Sequence, residues 1–506
     1  MTEARKNRIF GCAVFVFTVL WFAVFAAARI DLHHDGVMLK PAVDVAAGRV
    51  IFRDTFCQYG ALAVWLQALA VKIFGGELIV IQLLTVLFYG GTAVLSDRIF
   101  RRFLSFPFRL VNLGLFYGMA PFYVLPMHPW SSVYALFFML LSTEFLLRYL
   151  EREQPVFPAL AGACAACAFL ARHPCGVVCF GAGALTLVLA SCFLKRRWRD
   201  LGIFSAGSAA VLVPFVLYLL IVGAWNDYLR QCFGFVGAFA LERGGGGWVE
   251  MSGRFFPIFD GLLPPLDFFF SLLPLVCVAA GLLVFFRLTR GGEAERPAAV
   301  GHLAVILAAL AAWHQYYPVP CARHLYWAAI PMFGVFALVC EKLWRNRSRR
   351  GQCRAAAVAL CLAALPAVGV RLWGAAMLLR SFGGRTALDL PGVRHLRLSG
   401  AEHALLDNLA RAYAELPPEV QARGVFNCTP DGMVSVVFPE TKFRHPMFVN
   451  WGDSVYKDYT ALAMDYILTH RPPVVASVEM RLPGYREAVF CGELYGVPYF
   501  FYAPQD

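Results

Sequence analysis

The residues Asp31-Leu-His-His-Asp-Gly-Val-Met-Leu-Lys-Pro41, followed by Phe52-Arg-Asp-Thr-Phe-Cys-Gln-Tyr-Gly60, form a polar stretch in an otherwise apolar chain. They lie between the first two long apolar runs, residues 9–28 and 78–97. Ionisable residues are costly beside a lipid bilayer, so such a concentration indicates a functional site. A transporter rarely needs a loop of this kind next to its first helix. The pattern favours an enzyme that works at a membrane surface.

The composition predicts a protein with many membrane-spanning helices. Of the 506 residues 59% are hydrophobic and 15% are charged, and the mean hydropathy is +0.61. The first apolar run is too long for the core of a signal peptide, so we expect a retained anchor. The length and recurrence of the apolar runs predict about eleven spans, at residues 9–28, 78–97, 108–126, 131–149, 157–171, 175–193, 201–222, 265–286, 298–313, 325–341 and 355–375.

The distribution of basic residues predicts how these spans are oriented. Of the 45 Lys and Arg residues, 22 fall in the N-terminus and in the loops on the same side, and about ten fall in the opposite loops before residue 371. Basic residues accumulate in cytoplasmic loops, so the N-terminus is expected in the cytoplasm and the C-terminal segment outside. The net charge of +12 then reflects orientation and lipid contact, and we expect no nucleic-acid partner.

The C-terminal segment differs in composition and predicts a small α/β domain. Apolar runs shorten to strand length at 424–428, 434–438, 446–450 and 474–478, and residues 400–415 and 456–470 have helical periodicity. We therefore divide the chain into a membrane domain, 1–376, and an exported domain, 377–506. In the outer loop 223–264, four consecutive glycines predict a mobile tip, either a lid over a site or a slack linker.

Two amphipathic helices are expected in the first outer loop, residues 29–77. One follows Asp35-Gly36 and ends at Gly48, and the other runs from Thr55 to Phe74. The second is strongly apolar and should lie in the membrane interface or half-buried against other helices.

The acidic residues of this loop have two interpretations. Asp35 is either the N-cap of the first helix or a general base whose pKa is tuned by the neighbouring Asp31, His33 and His34. Asp54 presents the same choice for the second helix. Taken alone, the cap is the more ordinary role.

Further polar clusters fall at the outer ends of other spans. They are Arg172-His-Pro174, Arg323-His324 and His128-Pro-Trp130. Each could merely extend its charge towards water. All of them, however, are expected on the face that carries the acidic loop. Arginine binds phosphate bidentately and a carboxylate accepts a proton, so together they suit a substrate with a phosphate leaving group. No Cys/His set has the spacing of a metal site, and Cys164-x-x-Cys167 is expected to serve packing.

The first loop resembles the opening of the polytopic glycosyltransferases of the GT-C superfamily, which include bacterial protein O-mannosyltransferases and aminoarabinose transferases. The resemblance lies in His34-Asp35-Gly36-Val-Met, Ala47-Gly48-Arg-Val-Ile-Phe52-Arg53-Asp54-Thr-Phe, Tyr59-Gly60-Ala-Leu and Phe74-Gly75. The segments Phe169-Leu-Ala-Arg-His-Pro-Cys-Gly176 and Arg323-His-Leu-Tyr-Trp-Ala-Ala-Ile-Pro331 are similar to later parts of that family more loosely. Many relatives have Asp-Glu where this chain has His34-Asp35, so a second carboxylate role and metal binding are in doubt.

The resemblance implies an inverting glycosyltransferase of a bacterial inner membrane, without a required cofactor. Its donor would be a polyprenyl-phosphate sugar, and its acceptor a glycan, lipid or protein on the periplasmic face. Asp35 would be the general base. The implied phosphate-binding residues are Arg53, Arg172, His173, Arg323 and His324, and those of the substrate pocket are His34, Asp54, Gln58 and Tyr59. Two alternatives stay open: a lipid-linked oligosaccharide polymerase, ligase or flippase, and a non-catalytic scaffold.

Overall fold

The computed structural model describes residues 2–123, 127–237, 264–316, 322–346, 350–443, 452–453 and 455–505. A helix occupies the position of every predicted span. Three further α-helices are present: α2 and α3 in the first outer loop, and the short α10. The α-helices described up to residue 381 are α1 (Glu3–Ala26), α2 (His34–Ala46), α3 (Ala61–Phe74), α4 (Leu78–Phe100), α5 (Phe106–Gly118), α6 (Ser131–Arg152), α7 (Val156–Ala171), α8 (His173–Leu194), α9 (Arg199–Ile221), α10 (Trp225–Leu229), α11 (Pro264–Arg290), α12 (Arg296–Trp313), α13 (Ala322–Arg345) and α14 (Arg350–Ser381).

The prediction of a polytopic helical membrane protein is confirmed, but the number of eleven spans is not. Nine helices in the described ranges are long and apolar enough to cross a membrane. Helices α5 and α7 have 13 and 16 residues, fewer than the roughly 20 that a full crossing needs. The span expected at 108–126 ends early because Pro121 cannot continue a helix, and residues 124–126 lie outside the described ranges.

Helix α13 lies at the centre of the bundle and carries Arg323 in its first turn. Its hydrophobic window is 89% buried, against 28% for α1. Tyr326 donates a hydrogen bond to the carbonyl of Phe116 (2.6 Å), and Trp327 donates one to the Tyr89 hydroxyl (2.5 Å). These bonds satisfy buried polar groups and hold the start of α13 in place.

The first outer loop folds largely as expected. Helix α2 matches its prediction, but α3 begins at Ala61 rather than Thr55. The backbone of Gly60 packs so closely on the end of α7 that a Cβ there would come within 2.0 Å of the Leu170 carbonyl oxygen. Residues 52–60 are irregular chain, and the segment reaches the end of α7 at Gly60. One face of α3 is buried while Leu69 and Ile73 are more than half exposed, as expected for a half-buried apolar helix.

The C-terminal segment is an α/β structure with a four-stranded sheet. The strands, in the order β1-β2-β4-β3, are β1 (Phe426–Cys428), β2 (Val474–Ala476), β3 (Val489–Leu494) and β4 (Val497–Tyr502). The β1–β2 pair is parallel, and the other two pairs are antiparallel. The helices of this segment are α15 (Gly400–Ala414), α16 (Pro418–Gln421), α17 (Val434–Val437) and α18 (Tyr459–His470).

Some predictions for this segment are wrong. Residues 434–438 form α17 instead of a strand, and β3 and β4 are absent from the predicted strands. A short apolar run is compatible with either a helix or a strand, and its tertiary contacts decide which of the two it forms. The run 446–450 and the glycine-rich tip 244–247 lie outside the described residues. Helix α14 continues past residue 376 to Ser381, and the division of the chain at 376/377 stays a prediction.

The C-terminal segment packs against the first outer loop. Met433 N–H donates to the Leu32 carbonyl (3.2 Å), and Arg397 N–H donates to the Ala27 carbonyl (2.7 Å). Gly36 lies against the backbone at Gly432, where an added Cβ would come within 2.2 Å of the Met433 nitrogen. The turn 429–433 is thereby brought to the start of α2.

Candidate active site

The start of α2 is capped by Asp31, not by Asp35. Asp31 Oδ1 accepts hydrogen bonds from the backbone N–H groups of His33 (3.1 Å) and His34 (2.9 Å). Asp35 lies inside the first turn, and its Oδ2 accepts from the Asp31 N–H (2.9 Å). The capping interpretation of Asp35 is therefore wrong, because the N-cap position is His33 and Asp35 is already inside the first turn.

Asp35 is completely buried and is bonded to a histidine from a distant part of the chain. The Asp35 side chain has no exposed surface, and its Oδ1 lies 2.7 Å from His128 Nδ1. His128 precedes α6 and is 1% exposed. Sequence analysis placed His128 on this face but did not include it among the site residues. Asp35 and His128 are 93 residues apart, so no local sequence pattern connects them.

Asp31 and His34 complete a cluster around this pair. His34 Nδ1 lies 2.7 Å from Asp31 Oδ2, and His128 Nε2 lies 3.7 Å from the same oxygen. The Asp31 side chain is 19% exposed and that of His34 is 36% exposed. The cluster thus has a buried inner half, Asp35 and His128, and an outer half that a substrate can reach.

The two carboxyl groups have pKa values shifted in opposite directions. Burial raises the pKa of Asp35 well above its ordinary value, and the nearby Asp31 carboxylate raises it further. Burial also acts to raise the pKa of Asp31, but the hydrogen bond from His34 and the electrostatic influence of the His128 and His34 imidazoles outweigh it, so this pKa is lowered. Such a separation assigns the neutral form to one carboxyl and the ionised form to the other. Asp31 is the ionised one.

Asp31, His34 and His128 could also hold a metal ion. Their ligand atoms all lie within 4.8 Å of one another. Two imidazoles and a carboxylate suit zinc and similar divalent ions, and a metal-binding histidine typically has its other nitrogen bonded to a carboxylate, as His128 has to Asp35. Sequence analysis proposed no metal ligands, because His128 is remote in the chain.

Three aromatic and cationic side chains extend the cluster towards α7 and α8. The Trp130 ring lies 5.4 Å from that of His34 and 5.1 Å from that of Tyr59. The Arg172 guanidinium lies 5.7 Å from the Tyr59 ring centre and donates to Ser132 Oγ (2.5 Å). Gln58 donates to the Tyr59 hydroxyl (2.9 Å). The predicted residues Arg172, Gln58 and Tyr59 are thus brought to one side of the cluster.

Arg323 lies close enough to act on the charges of the cluster. Its positive charge lowers the pKa of His128, where burial is the larger cause, and it opposes the rise in the pKa of Asp35. Within the described ranges, three buried polar atoms around the cluster have no hydrogen-bond partner: Arg323 Nη1, His128 Nε2 and Trp130 Nε1. Unsatisfied buried donors are costly, so a set of three in one place indicates a site that binds polar groups of a ligand.

Other predicted site residues lie elsewhere. His173 is buried, and its Nε2 lies 2.9 Å from the Tyr228 hydroxyl, beside the rings of Phe169 and Phe233. Arg53 pairs with Asp54 (2.9 Å) and donates to the Val222 carbonyl (2.9 Å).

Asp54 and His324 are the other two predicted site residues. Asp54 does not cap α3, because it accepts from the Val50 N–H (2.8 Å) and that helix begins seven residues later. The His324 ring lies 5.4 Å from that of Trp327, one residue after Arg323 on α13.

The C-terminal segment contributes one acidic residue that sequence analysis missed. Asp431 Oδ1 lies 3.8 Å from His33 Nδ1, and Asp431 Oδ2 accepts a hydrogen bond from the Tyr499 hydroxyl (2.5 Å). Burial raises the pKa of Asp431 to about 6. The turn Thr429-Pro-Asp-Gly432 has the composition of a tight turn, but nothing in it indicates contact with residue 33.

A cavity of about 660 Å³ lies between α2 and the C-terminal segment, and its lining includes none of the residues of the Asp31–Asp35–His34–His128 cluster. Lys40 and Arg49 on the loop side bind both Asp44 and Glu440 at 2.6–3.2 Å, which ties the two parts together. The lining also contains Arg53, Asp54, Lys442 and the rings of Phe56, Phe443 and Tyr459. Its walls therefore combine charged groups of both signs with aromatic surface.

Several solved structures share this fold. The crystal structure of ArnT from Cupriavidus metallidurans bound to undecaprenyl phosphate has a TM-score of 0.57 and 14% identity, and the match covers 99% of this chain and 98% of that one. The apo form of ArnT gives 0.54 and 15%, with the same coverage. The oligosaccharyltransferase of Archaeoglobus fulgidus, in complex with Zn and sulfate, gives 0.54 and 14%, with 97% and 73% covered.

These similarities show that the chain shares the fold of ArnT and of this oligosaccharyltransferase. No family model matches the sequence, and no curated protein matches it.

Proposed function

We propose that the protein is a membrane glycosyltransferase that transfers a sugar from a polyprenyl-phosphate-linked donor to an acceptor hydroxyl, with inversion at the anomeric carbon. The observation that carries the proposal is the cluster of Asp31, Asp35, His34 and His128 beside Arg323, on a fold shared with ArnT. The structure of ArnT with undecaprenyl phosphate supports a donor lipid of this class.

Asp31 is the better candidate for the general base. A base must reach the acceptor hydroxyl and be ionised at the working pH. The Asp31 carboxyl is partly exposed, so an acceptor hydroxyl can approach it, whereas Asp35 is wholly buried. The lowered pKa of Asp31 keeps it ionised but makes it a weaker base, so its accessibility is the property that favours it. Asp35, the residue favoured by sequence, then acts as a positioning residue, because it accepts from the Asp31 N–H and orients His128.

The reaction is a displacement at the anomeric carbon. The acceptor oxygen forms the new glycosidic bond as the bond from C1 to the phosphate oxygen breaks. The acceptor proton goes to Asp31, and the bonding pair leaves with the polyprenyl phosphate. Arg323, with its free buried Nη1, is our candidate for stabilising the charge on that phosphate, with Arg172 on the other side of Tyr59. Preformed donors of this kind strengthen as negative charge develops.

A divalent ion held by Asp31, His34 and His128 would supply a further positive charge for the departing phosphate. The ion and the acceptor proton would compete for the oxygens of Asp31.

The cavity between α2 and the C-terminal segment is the candidate acceptor site. Its ionic walls disfavour an acyl chain, since burying unsolvated charges against hydrocarbon is costly. Side chains of both signs together with Phe56 and Tyr459 suit a polar acceptor that offers many hydroxyl groups. Arg53 and Asp54 then belong to acceptor binding rather than to the donor phosphate.

The location proposed is a bacterial inner membrane, with the N-terminus in the cytoplasm and both the site and the C-terminal segment in the periplasm. Basic residues concentrate at the opposite ends of the helices, which supports this orientation.

The deciding experiment compares cells that express the intact protein with cells that express Asp31→Asn, at equal protein levels. Mass spectrometry of envelope lipids, glycans and proteins would score additions of hexose or pentose mass. We expect an addition with the intact protein that is lost in the variant. Absence of any addition with the intact protein contradicts the proposed activity, and persistence in the variant contradicts the assignment of the base.

A further inference from the structure

A second cavity, of about 1230 Å³, lies at the other end of the helical bundle from the candidate active site. It is formed where the start of α5, the end of α13 and the first half of α14 meet. Helix α13 connects the two sites, since Arg323 is in its first turn and Arg345 is its last residue. The 22 steps between them correspond to about 33 Å of helix, comparable with the thickness of the hydrocarbon core of a bilayer. The second cavity is therefore at the opposite membrane surface.

The mouth of this cavity is basic. Arg345, Arg350 and Arg354 line it, and none of its lining residues within the described ranges is acidic. Arg345 is paired with Glu341 (2.6 Å). Arg350 and Arg354 have no carboxylate partner in the part of the chain that the structure describes. Arg354 instead stacks on Trp344, with 5.0 Å between the guanidinium carbon and the ring centre. Two guanidinium groups are thus available for an anion.

The wall below these arginines is apolar and follows one face of α14. Arg354, Val358, Cys361, Leu362 and Leu365 all line the cavity, at spacings of three or four residues that place them on the same side of a helix. Val358, Leu362 and Leu365 are 45–59% exposed in the protein alone. From Arg354 to Leu365 this stripe extends for about 16 Å along the helix. The cavity surface is thus basic at its mouth and apolar farther along α14.

We propose that this cavity binds an anionic phospholipid of the membrane leaflet opposite the active site. The phosphate of the headgroup would lie between Arg350 and Arg354, and one acyl chain would lie along the stripe of α14. Basic pockets between transmembrane helices are suited to such headgroups. A soluble phosphate would use the arginines but make no use of the apolar wall that continues from them. This inference does not depend on the proposed glycosyltransferase activity.

The test uses quenching of Trp344, which lines the cavity. Full-length protein is reconstituted in phosphatidylcholine vesicles that contain a small fraction of either brominated phosphatidylglycerol or brominated phosphatidylcholine. The fluorescence of Trp344→Phe is subtracted, so that the signal of this tryptophan is isolated from the others. We expect the anionic brominated lipid to quench Trp344 at concentrations at least threefold lower than the zwitterionic one.

Arg350→Gln/Arg354→Gln should abolish this preference, and Arg350→Lys/Arg354→Lys should retain most of it because the charge remains. Arg290→Gln is the matched control, since Arg290 also stacks on an aromatic ring at a helix end, 4.6 Å from Phe286, but lies outside the cavity. Equal quenching by both lipids in the intact protein would overturn the proposal. So would a preference that survives the double Gln variant, or one that millimolar inorganic phosphate removes at constant ionic strength.

Discussion

Asp31 and Asp35, four residues apart at the start of α2, experience different environments. The Asp31 carboxylate is partly exposed and bonded to His34, and the Asp35 carboxyl is enclosed and bonded to His128. From sequence, Asp35 was the expected general base and Asp31 only a neighbour that tunes its pKa. Burial and the charges around each group distinguish them, and both depend on residues far away in the chain.

Replacing Asp31 should affect turnover much more than replacing Asp35. Asp31→Asn removes the proton acceptor and is expected to lower the rate of transfer by about 10²–10⁴-fold. Asp35→Asn preserves an acceptor for the Asp31 N–H and replaces a neutral carboxyl, so a loss of about tenfold or less is expected. The measurement is the transfer rate at saturating donor, with the exposed Asp389→Asn as control. The opposite order of effects would return the role of base to Asp35.

Removal of metal should leave activity unchanged or raise it. Asp31 cannot accept a proton while it binds an ion, so dialysis against EDTA frees the base. The measurement is the transfer rate before and after dialysis, with the metal content determined in the same samples. If activity falls with EDTA and returns with added zinc, Asp31 is a metal ligand in the working enzyme and our assignment of the base is wrong.

Asp431 should make stability depend on pH. Its folded pKa of about 6 is above the ordinary value of 3.8, so the neutral form is favoured in the folded protein. The stability that this contributes is complete below pH 3.8 and is lost as the pH rises through about 6, on the order of 3 kcal/mol.

Asp431 faces His33 and Tyr499, and the turn that carries it packs on α2. Asp431→Asn should therefore flatten the dependence of Tm on pH in this window, measured on the full-length protein. A slope equal to that of the wild type would show that other groups cause it.

At the scale of elements, the contact of Gly36 on α2 with the turn at Gly432 determines how the C-terminal segment is placed. A methyl group at position 36 would collide with backbone, which cannot move aside as a flexible side chain would. Gly36→Ala is expected to lower the free energy of unfolding by about 1–3 kcal/mol, despite the better helix propensity of alanine.

The measurement for Gly36→Ala is the Tm, together with the rate of tryptic cleavage after Arg394 and Arg397. Gly202→Ala on α9 is the matched control, because nothing lies within 4 Å of its added Cβ. We expect faster cleavage and a lower Tm only for the change at position 36. Equal behaviour of the two variants would mean that the close approach at Gly36 does not hold the C-terminal segment in place.

At the scale of the whole molecule, the two cavities lie at opposite membrane surfaces, and the orientation decides which compartment each faces. Alkaline phosphatase fused after Asp506 should be active and green fluorescent protein at the same position dark, because the C-terminal segment is expected in the periplasm. Fusions truncated after Arg345 should give the reverse result. A fluorescent, phosphatase-negative fusion at Asp506 would place the candidate active site in the cytoplasm.

Much of the architecture could be predicted from local sequence. Every predicted span coincides with a helix, since hydropathy over some twenty residues is a local property. The short elements were less predictable. Residues 434–437 became a helix beneath α2, and α3 started late because Gly60 had to pack on α7. The number of helices that cross the membrane fully depends on helix length. Where a helix ends depends on tertiary packing and on prolines that lie outside the apolar run.

Local sequence was sufficient to indicate a polytopic membrane protein, the polar loop at 31–60 and the concentration of ionisable residues on one face, because composition and charge act over a few neighbouring residues. Only the tertiary structure joined His128 to Asp35, brought Asp431 to His33, moved Arg53 and His173 away from the cluster, and separated the roles of Asp31 and Asp35. Those outcomes depend on burial and on contacts between residues up to about 400 positions apart, and a carboxyl group acquires its pKa from such surroundings rather than from its neighbours in the chain.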